Sequence, residues 1–219
     1  MSELRDFWKS LVGKKQVMAV TGVILTLFII GHLVGNLLVF AGPGPYNDYS
    51  HFLKHGIIEI LWIVRLVLLV SLVLHVVASI QVSLASRRAR PIGYAVKKNI
   101  ETTYAARTMI WSGPLLFVYV VYHLMMFTFL TTGPGYSPTD VYRNVVLSFR
   151  DPAISAVYAV AMILLGMHLY HGAWSMVQTL GAGSPKYHPL RRAAAPVFAA
   201  AITAGYILIP AAVMLGWVS

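Results

Sequence analysis

The chain has 219 residues, 58% of them hydrophobic and only 11% charged, with a mean hydropathy of +0.72. A water-soluble domain of this size cannot bury so much apolar surface, so the composition describes an integral membrane protein. The absence of cysteine excludes disulfides, cysteine-ligated iron–sulfur clusters and covalently attached c-type haem within the chain. The net charge of +10 does not point to nucleic acid, because no soluble basic domain exists to carry it.

Residues 1–14 form a polar, amphipathic lead-in with Arg5, Lys9 and Lys14, and with Phe7 and Trp8 suited to the membrane interface. Five apolar spans, I to V, are predicted at about 15–41, 57–86, 104–132, 152–180 and 193–218. The first is too long for the apolar region of a cleavable signal peptide, and none is expected. Gly42-Pro-Gly-Pro45 stops span I, and the polar, aromatic stretch from Tyr46 to Gly56 suits a short surface helix. Span II ends in Arg87-Arg88-Ala-Arg90, and a basic connector with Lys97 and Lys98 leads to span III. Gly133-Pro-Gly135 ends span III, an outer loop runs from Tyr136 to Asp151, and Gly181-Ala-Gly-Ser-Pro185 separates IV from V.

Lysine and arginine set the orientation. One side collects Arg5, Lys9, Lys14, Lys15, Arg87, Arg88, Arg90, Lys97, Lys98, Arg107, Lys186, Arg191 and Arg192, whereas the other has only Lys54, Arg143 and Arg150. The N-terminus is therefore expected on the cytoplasmic side and the C-terminus outside.

Spans I to IV each carry histidine, and span V has none: His32, His75, His123, and the pair His168 and His171. An ionisable side chain at that depth is costly unless it meets a partner. A lone intramembrane histidine is more often a packing residue, but packing seldom puts one on each of four successive spans. At about 1.5 Å per residue from each midpoint, His32 and His123 lie about 5–7 Å toward the outer side. His75, His168 and His171 lie toward the cytoplasm. In an up-down bundle, I faces III and II faces IV across the two diagonals, so the histidines pair at two levels. Two opposed imidazoles suit a planar iron macrocycle held at both axial positions. Zinc is the rival, but it wants clustered ligands, usually with a thiolate or carboxylate among them. The pattern points to two b haems. Gly31, Gly35, Gly113, Gly166 and Gly172 would let a flat ring approach the backbone, and equally favour close packing of helices.

The motifs Gly31-His-Leu-Val-Gly-Asn36, Leu74-His-Val76, Tyr122-His-Leu124 and His168-Leu-Tyr-His-Gly-Ala-Trp174 occur in that order. In them the chain resembles, along essentially its whole length, the single-subunit, five-helix, dihaem cytochrome b anchor of succinate:quinone oxidoreductases and fumarate reductases. The resemblance implies an all-α membrane fold whose first four helices form the haem-binding bundle. It implies His32 and His123 as ligands of the outer-side haem iron, and His75 and His168 as ligands of the cytoplasmic-side one. It also decides for His168 over His171, which depth alone leaves open. His171 would lie a turn nearer the cytoplasm, placed for a propionate or quinone contact. The implied partners are a flavoprotein and an iron–sulfur subunit on the cytoplasmic face. The implied substrate is a membrane quinone, of the menaquinone type, and the implied location is the inner (cytoplasmic) membrane.

Arg65, inside span II near the level of the outer pair, suits a haem propionate, or equally the outer headgroups. Glu59 lies near the outer end of that span, where a solvated carboxylate is the simpler reading. His51, His55 and His188 fall in predicted loops. Arg87, Arg88, Arg90, Lys97 and Lys98 suit cytoplasmic lipid and a partner subunit. The chain has no nucleophile, flavin fingerprint or dicarboxylate pocket of its own, so its expected share is electron transfer between the iron–sulfur subunit and quinone. Two rival readings are the haem b anchor of a hydrogenase or formate dehydrogenase, and a haem-free transporter relaying protons through histidine. The latter would need inverted repeats or broken midplane helices, which the sequence lacks.

Overall fold

The computed structural model describes residues 2–89, 92, 103–133, 135–181, 184, 186 and 188–219, and no strand occurs among them. Helix α1 (Ser2–Lys9) is joined to α2 (Leu11–Leu37) by a sharp corner at Ser10. There the Ser10 hydroxyl accepts from the Gly13 amide (2.8 Å) and donates to the Phe7 carbonyl (2.8 Å). A Cβ at position 13 would overlap that same carbonyl, so the corner requires glycine. The lead-in is thus a helix of its own, and span I starts four residues earlier than predicted.

A 3-10 turn (Leu38–Ala41) closes α2, and Gly42, at φ 95, releases the chain into α3 (Pro43–His51), where Pro43 occupies the first turn. A π turn (Phe52–Gly56) leads to α4 (Ile58–Arg88), the second span. The third, α5 (Tyr104–Phe127), is capped by the Thr103 hydroxyl and stops five residues short of the predicted Thr132. The apolar run continues beyond it, but the backbone leaves the helix there and reaches φ 55 at Leu130.

The outer loop contains a helix the sequence reading missed, α6 (Val141–Phe149), capped by Asp140. The fourth span, α7 (Pro152–Thr179), starts on an Asp151 cap with Pro152 in its first turn. The fifth, α8 (His188–Met214), starts five residues before the predicted Ala193. Five helices, the long ones, are apolar and long enough to cross a bilayer.

α4 packs along α2, α5 along α7, and α7 along both α8 and α2, so two helical hairpins meet through α2 and α7. Buried side chains concentrate at the end of the bundle away from α1, where Val39, Tyr46, Met126, Tyr142, Phe149, Tyr158 and Ile209 share one cluster. Polar bonds lock this cap. Asn47 donates to Asp140 (3.0 Å) and accepts from the Tyr142 amide (3.0 Å), tying α3 to α6. Asn144 closes the loop ahead of α6 with two bonds to the Ser137 backbone. By contrast α4 buries only Ser71 and Ala78, and exposes Trp62, Ile63, Leu66, Val70 and Val73 along its length. In a bilayer such a surface meets lipid chains.

Candidate cofactor-binding site

The histidines of the four helices meet in two pairs. His32 of α2 and His123 of α5 have ring centroids 5.9 Å apart, with the planes at 90°. His75 of α4 and His168 of α7 stand 6.2 Å apart at 52°. The levels are separated too. His75 lies against Thr21, which precedes His32 by eleven residues on α2, so the pairs are about 16 Å apart along the bundle.

Those separations allow a test of what could sit between the rings. An imidazole nitrogen binds a first-row metal at about 2.0 Å, and lies about 1.1 Å from its ring centroid, so two trans imidazoles have centroids about 6 Å apart. Both pairs match. Turning either ring about the nitrogen–metal–nitrogen axis leaves that separation unchanged, so interplanar angles of 90° and 52° are both accommodated. No group of three or more His, Cys, Asp or Glu converges among the described residues, as a closed tetrahedral zinc site would need.

Glycine geometry divides the five glycines into two groups. A Cβ built at Gly31, Gly113 or Gly172 meets nothing within 4 Å, so open space lies beside these backbones. Gly113 precedes His123 by ten residues, which brings it to the level of the His75–His168 pair. Gly35 and Gly166 do something else. A Cβ at Gly35 would come within 2.8 Å of Tyr49, and one at Gly166 would overlap Thr203. Those two serve helix packing.

Each pair has one ring held by a hydroxyl. Thr21 Oγ1 is 3.2 Å from His75 Nδ1, and Tyr158 OH is 3.2 Å from His123 Nδ1. His168 Nδ1 is buried with no hydrogen-bond partner among the described residues. Aromatic rings surround the outer pair: Phe28 and Tyr206 beside His32, Tyr119 and Phe127 beside His123. Thr21, Tyr158 and Tyr206 were not found from the sequence. Only Thr21 left a signal, since eleven residues is three helical turns and sets it on the face that carries His32.

The remaining candidates fall as follows. His171 is half-buried, one turn beyond His168. Arg65 is exposed, its guanidinium 4.9 Å over the Trp62 ring. Burial, and then the nearby Arg65 charge, pull the Lys54 ammonium, in the turn ahead of α4, below its ordinary value. Lys54 also donates to the Pro138 carbonyl (3.0 Å). Glu59 is exposed in the first turn of α4, where the helix dipole favours a carboxylate. His51 and His55 are helical rather than in a loop, their rings 4.5 Å apart at the outer surface, and His188 opens α8. Arg87 and Arg88 are exposed in the last turn of α4, and Arg90, Lys97 and Lys98 lie outside the described residues.

Residues 85–208 match the family model of the succinate dehydrogenase/fumarate reductase transmembrane subunit. The match takes in His123, His168 and His171 and stops short of His32, His75 and Arg65. Comparison with curated proteins and with solved structures returned no match. More than half of the chain lies within the matched region, and five apolar helices carry it across a bilayer: it belongs to the family of succinate dehydrogenase/fumarate reductase transmembrane subunits.

Proposed function

We propose that this chain is the cytochrome b anchor of its complex, holding two b haems. His32 and His123 are the axial ligands at the outer level, and His75 and His168 those at the cytoplasmic level. The observation that carries this reading is the recurrence of one separation, 5.9 and 6.2 Å, in two histidine pairs at two depths. When bound, each haem supplies a reversible one-electron iron couple between the iron–sulfur subunit and quinone.

The chain's own residues do the rest. His32, His75, His123 and His168 would hold the two haems through their imidazole nitrogens. The apolar helices surround both levels with hydrocarbon side chains, which limits the access of water. Arg65 and Lys54 give the outer end of α4 a positive potential suited to carboxylate groups. His171 provides a titratable group at the cytoplasmic end of α7, suited to a propionate or a quinone oxygen. The basic ends of α4 and α8, with Arg87, Arg88, Arg191 and Arg192, suit an N-terminus on the cytoplasmic side and the docking of the iron–sulfur and flavoprotein subunits there. The location is the inner membrane, and the dicarboxylate chemistry belongs to the soluble partners.

The test is the pyridine haemochrome content of the purified chain, with its reduced-minus-oxidised spectrum. Two low-spin b haems per chain are expected, and one or none overturns the reading.

A further inference from the structure

Two hydrogen bonds from Thr21 to backbone carbonyls fix the direction of its third contact, with His75. Its hydroxyl has a single proton, and its Oγ1 lies 2.7 Å from the Val17 carbonyl and 3.2 Å from that of Met18. Carbonyls only accept, so the proton is committed to them, and toward His75 the oxygen can only accept. His75 therefore carries its proton on Nδ1.

The second hairpin repeats the arrangement. Tyr158 OH donates to the Met126 thioether (3.5 Å), which offers no proton in return. A hydroxyl that satisfies both neighbours then accepts from His123 Nδ1. In each hairpin the helix that supplies the hydroxyl carries its own histidine at the other level: Thr21 and His32 on α2, Tyr158 and His168 on α7. Neither His32 nor His168 has a comparable hydroxyl, and His168 Nδ1 is buried without a partner among the described residues.

We propose that Thr21 and Tyr158 are positioning residues that set the tautomer, ring orientation and basicity of one ligand in each pair. With Nδ1 protonated, Nε2 keeps the only free lone pair in the ring plane. A hydrogen bond given from Nδ1 pushes electron density toward Nε2, which favours the oxidised, more positive iron. Each haem is thereby held by one strengthened and one unassisted imidazole. This inference rests on the dihaem reading above.

The test uses the purified full chain with Thr21→Val, Thr21→Ser and Tyr158→Phe, read by potentiometric optical titration and by the low-spin ferric resonance signals. Thr21→Val should raise the midpoint potential of the His75–His168 component alone, and Thr21→Ser should return it to the parent value. Tyr158→Phe should raise the other component alone. Unmoved potentials, both components moving together in every variant, or a serine variant that behaves like valine would overturn the proposal. A readout that needs no variant to fold is the ¹⁵N spectrum of the histidine-labelled parent chain, in which His75 and His123 should be protonated at Nδ1. Protonation at Nε2 of either ring overturns the assignment for that ring, whether or not haem is present. A parent chain without haem would sink the dihaem reading and leave the tautomer result standing.

Discussion

Tyr206 of α8 donates its hydroxyl proton to the Ile29 carbonyl of α2 at 2.8 Å, three residues before His32, and its ring lies 6.4 Å from that imidazole. The fifth span places no histidine near either pair, yet it braces α2, which carries His32. Leu33 adds to the contact, since a Cβ at Gly205 would come within 2.8 Å of its side chain. Both contacts fix the rotation of α2 about its axis, and with it the direction of His32.

Tyr206→Phe removes the bond and keeps the packing. The expected cost is about 0.5–1 kcal/mol, the usual worth of one such bond between membrane helices. At about 2–4 °C per kcal/mol for a chain of this size, the midpoint of thermal unfolding in detergent should fall by a few degrees. An unchanged midpoint would mean that Tyr206 contributes by its ring alone.

The two groups of glycines should respond in opposite ways. Gly166→Val forces a branched side chain onto Thr203, and overpacking of that kind costs about 1–3 kcal/mol. It should lower stability whether or not cofactor is bound. Gly113→Leu places its side chain in open space at the His75–His168 level, so the chain should assemble but lose the cytoplasmic-level haem. The check is haem content per folded chain. Full occupancy in Gly113→Leu would mean that the space beside Gly113 is not where the macrocycle lies.

The outer cap should loosen in acid. The Arg143 amide, and then Asn47, hold the Asp140 carboxyl below its ordinary value of 3.8. A carboxylate lowered in the folded state adds stability that is complete above its unfolded value and is lost as pH falls through the folded one. Hydrogen exchange in the first turn of α6 should therefore accelerate below about pH 4. Asp140→Asn keeps a capping oxygen without the titration and should flatten that dependence. An unaltered profile would assign the acid response to another group.

The spans were legible because each apolar run is far longer than any buried soluble helix, and punctuation by glycine, proline and arginine bounded most of them. The end of α5 was not, because Thr128, Phe129 and Leu130 are apolar enough to continue the run, while the fold turns the backbone away at Leu130. Helix α6 was hidden for the opposite reason. Nine residues in a polar loop give too few turns for a periodic signal, and the helix depends on its Asp140 cap and on burial of Tyr142, Val145, Val146 and Phe149. At the site, histidine depth and bundle topology set His32 with His123 and His75 with the level of His168 and His171, and the family resemblance chose His168 of the last two. The hydroxyls behind them were not readable, since nothing local marks a threonine or tyrosine as facing a ring on another helix.

His171→Ala should differ from His168→Ala although the residues share a helix. His168 faces His75 at 6.2 Å, whereas His171 lies one turn farther along α7. His168→Ala should lose the cytoplasmic-level haem, and His171→Ala should keep it with altered potential or quinone kinetics. Loss of that haem in His171→Ala alone would reverse the assignment.

The strongest test of the architecture is which losses occur together. On the dihaem proposal, His32→Ala and His123→Ala each take away one of the two ligands at the outer level, so both should lose the outer component. They should spare the cytoplasmic one, whose ligands lie about 16 Å away along the helices. His75→Ala and His168→Ala should show the reverse pattern. Each variant also leaves a space in the bundle, and reduced assembly is expected in all four at a cost on the order of 2–5 kcal/mol. Protein yield therefore does not discriminate between levels. The identity of the missing spectral component does, measured per folded chain by low-temperature difference spectra. Should His32→Ala and His75→Ala lose the same component, one haem would bridge α2 and α4 and the diagonal pairing would have to be given up.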